Sequence, residues 1–267
     1  MILTELAKLV RRPRTWVLVA LLCALPTVVA VFVAVQEIAP RPGTGPAFLS
    51  AVLDSGTLFP AAALAIVLPL FLPVAVAVVA GESVAGEAQA GTLRYLLLRP
   101  VGRTRLLVAK LVSTLAFTLL SVSFVALTAY AVGVALFGSA EVSSVSGTEF
   151  STADATVRIV LTVLYVGWSM LGVASVALFL STLTDSPLVA ALGAVGVLVA
   201  STLLVTLEAA AAVQPYLPTR YWLAFIDLYR DPVLTRDLLR GVGLQAVYIG
   251  VFLAAAWANF TTKDVTS

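Results

Sequence analysis

The chain has 267 residues, 61% of them hydrophobic and only 11% charged, against about 25% charged in an ordinary soluble domain. Histidine is absent and cysteine occurs once, which excludes Ser-His and Cys-His nucleophilic pairs, His-ligated metals and multi-cysteine zinc sites by count. A net charge of +2 gives no footprint for nucleic acid, so what matters is where the basic residues fall along a membrane-embedded chain.

Residues 1–14 carry Ile2, Leu3, Leu6, Leu9 and Val10 at helical spacing, with Glu5, Lys8, Arg11 and Arg12 on the other side and Pro13 at the end. This predicts an amphipathic helix lying on the membrane surface. Six apolar windows follow, at 16–35, 58–80, 106–137, 159–180, 188–207 and 242–260, each long enough to span a bilayer. Cys23, inside the first, reads as a small packing residue. Pro60, Pro69 and Pro73 interrupt the second window and predict a kink. The third window would reach roughly 48 Å as a helix, beyond a hydrocarbon core of ~30 Å, and is expected to begin in the cytosol. The six windows are read as free of Asp, Glu, Lys and Arg, which weakens the case for an ion-driven carrier. Small residues four apart, Ala129 with Gly133, Ala190 with Ala194 and Gly250 with Ala254, are candidate helix-packing seams.

Basic residues set the orientation. The N-terminal tail holds Lys8, Arg11, Arg12 and Arg14, the first loop Arg41 alone, and the second loop Arg94, Arg99, Arg103 and Arg105. Both termini are therefore expected inside. The segment 208–241 conflicts, because it should be external yet holds Arg220, Arg230, Arg236 and Arg240. We read it as a folded external cap of short amphipathic helices, with Tyr216, Tyr221, Trp222 and Tyr229 as an interfacial platform.

The second loop, 81–105, is the most distinctive stretch. Gly91 permits a sharp turn and Thr92 can cap a new helix. Leu93, Leu96 and Leu97 then share one apolar face until Pro100 closes the segment. Physically this is a short cytoplasmic helix at the membrane, either a simple interfacial anchor or a docking element for a protein partner.

The pattern Glu87-x-x-x-Gly91-Thr92-Leu93-Arg94-x-Leu96-Leu97-x-x-Pro100-Val101-x-Arg103, followed by Lys110, resembles the signature of the permease subunits of ABC-2-type transporters. The basic amphipathic start and the finish Phe260-Thr261-Thr262-Lys263-Asp264-Val265 are similar to the ends of those permeases. The resemblance implies an all-α polytopic permease with six spans, both termini in the cytoplasm, and a coupling helix between spans two and three. It implies that Glu87, Gly91, Thr92, Leu93, Arg94, Leu96, Arg99, Pro100 and Arg103 couple to an ATPase. In that reading Gly91 forms the turn, Leu93 and Leu96 dock, and Arg94 and Arg99 pair with acidic groups on the motor. It further implies two nucleotide-binding subunits carrying ATP and magnesium, a second permease chain, identical or related, and a bacterial or archaeal cytoplasmic membrane. This chain is expected to hold no cofactor, metal or catalytic site, since no G-x-x-x-x-G-K-[ST] occurs among its three lysines, Lys8, Lys110 and Lys263. The alternatives are an ion-coupled secondary carrier, or an intramembrane enzyme or assembly factor. Gly167-Trp168-Ser169-Met170 faintly resembles a serine protease motif, but no histidine exists to act as its base.

Overall fold

The computed structural model describes residues 2–36, 55–92, 102–139, 142–143 and 149–262. The fold is all-helical in character, with six helices long and apolar enough to cross a membrane. Helix α1 (Ile2–Arg11) precedes α2 (Pro13–Gln36), the first spanning helix. The second window is not one helix. A 3₁₀ turn (Gly56–Leu58) leads into α3 (Phe59–Val67), the chain breaks at 68–70, and α4 (Phe71–Gln89) resumes. Pro69 and Pro73 explain the break, because each lacks an amide hydrogen and its ring crowds the carbonyl four residues earlier. Leu70 takes up the bend at φ −140°, ψ −57°.

Helix α5 (Arg103–Phe137) is unbroken over 35 residues. A minimal antiparallel ladder of β1 (Val142–Ser143) and β2 (Glu149–Phe150) precedes α6 (Thr152–Leu183). This helix starts seven residues before the apolar window does, since the Ser151 hydroxyl accepts from the Asp154 amide and caps it. Helix α7 (Pro187–Thr206) follows a tight turn, capped in the same way by Ser186. Helix α8 (Arg236–Thr262) closes the bundle. The hub is α6, which packs on α4, α5, α7 and α8. Its most apolar window is 67% buried, against 17% for α8, whose outer side is left to lipid.

Contacts assign the two ends of the bundle. At one end Glu5 meets Lys110, Ser181 meets Gly81, and Arg103 meets Phe260. The start of α5, the ends of α4, α6 and α8, and all of α1 therefore share one face. At the other end Gly56 donates to Gly138 O at 3.1 Å, and segment 208–235 folds over the spans.

That segment is a cap of 3₁₀ turns (Glu208–Ala210, Gln214–Tyr216 and Trp222–Tyr229) in place of the expected short amphipathic helices. The aromatic platform is corrected too. Trp222, Phe225 and Tyr229 are buried in the bundle core, and Tyr216 alone of the named aromatics is largely exposed. The cap is pinned by polar side chains of three spans. Tyr229 Oη shares a hydrogen with Thr162 at 2.9 Å, Tyr165 Oη donates to Tyr221 O at 2.7 Å, Gln245 Nε2 donates to Pro218 O at 2.8 Å, and Ser201 bonds Thr219. Arg158 donates to the carbonyls of Leu228 and Arg230, while Arg230 pairs with Asp227 and Arg240 with Asp237. Five of the charges near this segment are thus committed to local structure.

Candidate functional site

The segment the sequence singles out begins as a continuation of the second span. Residues 81–89, placed above in the coupling loop, are helical and belong to α4, because nothing after Gly81 breaks a helix before the Gly91 turn. The helix then ends in a complete Schellman arrangement: the Thr92 amide donates to Glu87 O at 3.0 Å and the Gly91 amide to Ala88 O at 3.0 Å. Gly91 sits at φ +66°, the left-handed region that a side chain disfavours. Thr92 looks backward, its hydroxyl donating to the same Glu87 carbonyl at 3.2 Å. The spacing Glu87-x-x-x-Gly91-Thr92 is therefore the stop signal of α4, with the glutamate one turn before the stop.

The side chain of Glu87 anchors that end. Its Oε1 pairs with Lys110 of α5 and, at 3.6 Å, with Lys8 of α1. Lys110 also reaches Glu5 Oε2 at 3.1 Å, and Lys8 reaches Glu5 Oε1 at 2.8 Å. Two carboxylates and two ammonium groups thus form a closed, neutral cluster joining α1, α4 and α5. Lys110 is 5% exposed and Glu5 8%, so the network is buried on the bundle side and open only at Lys8. One oxygen, Glu87 Oε2, is buried without a hydrogen-bond partner. Lys110 lies inside the third window as bounded from sequence, so the reading of that window as uncharged is corrected: it carries an ammonium about one turn from its start.

Burial alone would push the Glu5 carboxyl up, but Lys8 and Lys110 outweigh it and hold the group below its ordinary value. Burial likewise opposes the Lys8 ammonium, which Glu5 and Glu87 hold above its ordinary value. A lowered carboxyl pKa stabilises the fold above the group's ordinary value of 4.5 and loses that contribution as pH falls through the folded value. Docking of α1 is expected to hold at neutral pH and to loosen only below pH 4.5, as the carboxyl takes up its proton. A spin label at Leu3→Cys, in a Cys23→Ala background, should become mobile in that range and stay restrained at pH 7.

The polar edge of α1 is what docks. Glu5 and Leu9 are buried against the bundle, whereas Ile2, Leu3 and Val10 face outward. Two further ties fix the end of α4. Arg14 of α2 pairs with Glu82. Ser181 of α6 donates to Gly81 O at 2.6 Å and accepts from the amides of Val84 and Ala85 at 3.1 and 2.9 Å. A Cβ on Gly81 would meet Ala191 N of α7 at 3.0 Å, so these helices touch backbone to backbone.

The remaining motif residues divide. Arg103 stands apart from the cluster: its guanidinium donates to Phe260 O at 3.1 Å and Thr261 O at 3.0 Å, closing the carboxyl end of α8. Phe260 itself is buried with Val84, Leu106 and Leu107, so the aromatic of the tail packs beneath the same face. Leu93, Arg94, Leu96, Leu97, Arg99 and Pro100 lie outside the described residues, as do Lys263, Asp264 and Val265. Sequence reasoning missed Glu5, Glu82 and Arg14 as partners; the available signal was their opposite charge at ends of elements expected on one membrane face. Among the described residues no group of three or more His, Cys, Asp or Glu side chains is placed to hold a metal.

Residues 25–266 match a family described as "Protein of unknown function (DUF2705)". The chain belongs to this family. No curated protein gives a significant match. In this DUF2705 chain the matched region takes in all of the span-two to span-three segment and the cap, and begins after α1.

Proposed function

We propose that the chain is the membrane-spanning permease subunit of an ATP-binding-cassette exporter of the ABC-2 type. It works as a dimer in a bacterial or archaeal cytoplasmic membrane and is driven by separate nucleotide-binding subunits that hold ATP and magnesium. The observation that carries the reading is the anchored end of α4. The motif's Glu87 ties the stop of the second span to the start of a 35-residue helix. A force applied beside Gly91 is thereby delivered to two spans at once. A loop with no such tie would take up the displacement in its own freedom. In this reading the face bearing α1 is cytoplasmic, Leu93 and Leu96 seat on the motor, and Arg94 and Arg99 pair with it.

The test is the double variant Leu93→Glu with Arg94→Glu, in the permease co-expressed with its cognate ATPase. Expected is an ATPase rate that no longer responds to the membrane subunit, with transport lost and the complex still inserted. Unchanged stimulation and transport would remove the coupling assignment. Substrate movement by the purified chain alone under an ion gradient, without nucleotide, would instead favour the secondary-carrier reading.

A further inference from the structure

A cavity of about 960 Å³ opens between α1, the start of α2, the end of α4 and the start of α5. Its walls are of two kinds. Leu9, Leu18 and Val79 make an apolar side; four basic and three acidic residues make a charged side. The ion pairs account for all of those charges but one. Glu5, Lys8, Glu87 and Lys110 neutralise each other, as do Arg14 and Glu82, whereas Arg12 forms no ion pair with any described residue. Among the described residues the site therefore presents one uncompensated positive charge at the mouth of a partly apolar chamber. It does so at the level of α1, whose Ile2, Leu3 and Val10 are exposed as an interfacial helix exposes them.

We infer that this cavity binds the headgroup of one phospholipid from the leaflet on which α1 lies. A phosphodiester carries one negative charge, which matches the one charge left over, and a guanidinium meets two of its oxygens in a fork. The glycerol and the upper acyl carbons fit the wall of Leu9, Leu18 and Val79. A free phosphate would satisfy Arg12 and leave that wall wet; the amphiphile satisfies both. Occupancy joins α1 and α2 to the end of α4 through the ligand, adding to the link that Glu5 and Lys110 make directly. The inference stands independently of the ATPase reading, since it needs only a bilayer around the spans.

The full-length protein in detergent, mixed with dioleoyl phosphatidylglycerol and read by native mass spectrometry, tests it. Expected is one retained phospholipid per chain, with the bound fraction falling about tenfold in Arg12→Ala, as for loss of a charge-assisted pair. Ser113→Trp, which fills the cavity without touching a charge, should lower it as much. Arg220→Ala, an exposed arginine at the opposite end, should leave it unchanged, and inorganic phosphate should not displace the lipid. Equal retention in both cavity variants, or displacement by inorganic phosphate, would overturn the assignment.

Discussion

Lys110→Met is expected to destabilise the bundle by about 3 kcal/mol, at the lower end of the cost of removing one partner from a buried ion pair because the adjoining cavity admits water. The reason is what stays behind. Without Lys110, the carboxylates of Glu5 and Glu87 share only Lys8, whose side chain is 46% exposed, and Glu87 Oε2 already lacks a hydrogen bond. Lys8→Ala removes a charge of the same sign from the same cluster, yet should cost under about 1 kcal/mol, since an exposed ammonium is screened and already solvated. The contrast is the informative quantity. Thermal unfolding in detergent should separate the two variants clearly. Adding Glu5→Gln and Glu87→Gln to Lys110→Met should recover most of the loss, because a neutral polar set no longer carries buried charge. If Lys110→Met melts with the wild type, the cluster is not the anchor described here.

The fold was legible where composition alone decides it, and the site where a local rule does. Five of the six apolar windows map onto single long helices, and the second onto a short helix and a long one, because a bilayer admits few other spanning solutions. The break in the second span follows from Pro69 and Pro73, and the left-handed Gly91 from its place after a helical run. Boundaries were less legible. Hydropathy falls away through Thr152, Ala153 and Asp154, but the cap supplied by Ser151 carries α6 outward through them. Pairing was least legible. Glu5, Glu82 and Arg14 look like ordinary headgroup-facing charges on a one-dimensional reading, and only packing shows that Glu5 turns inward to Lys110. The same limit explains the conflict over the cap. Counting arginines assumes that each reports the membrane field, whereas two of the four counted there are paired within the segment, Arg230 with Asp227 and Arg240 with Asp237. A residue held by its own fold says little about which side of the membrane it was left on.

Small-residue spacing divides in an instructive way. Ala129 and Gly133 are buried on α5, and Ala190 and Ala194 on α7, whereas Gly250 has nothing within 4 Å of an added Cβ. Two of the three candidate seams are therefore packed, and the third faces outward. Gly133→Ala is expected to be among the most damaging of the single-methyl changes, with Gly56→Ala on the other side of the same contact. The new Cβ would lie 2.3 Å from Gly56 O and 2.6 Å from the Cβ of Phe59. The first of these is backbone, and Gly56 is itself held by its bond to Gly138 O, so no flexible side chain can give way. The 3₁₀ turn and α3 would have to move off α5, and α3 is almost wholly buried, with Ala63, Leu64 and Val67 at 0% exposure. A loss near the upper end of the 1–3 kcal/mol typical of overpacking, or roughly 3 kcal/mol, follows. Gly250→Ala, with open space around it and a helical backbone to stiffen, should be neutral or stabilising by up to about 1 kcal/mol. Detergent unfolding of the two variants side by side tests the approach of α5 to the Gly56 turn. Equal melting would mean that these backbones do not touch.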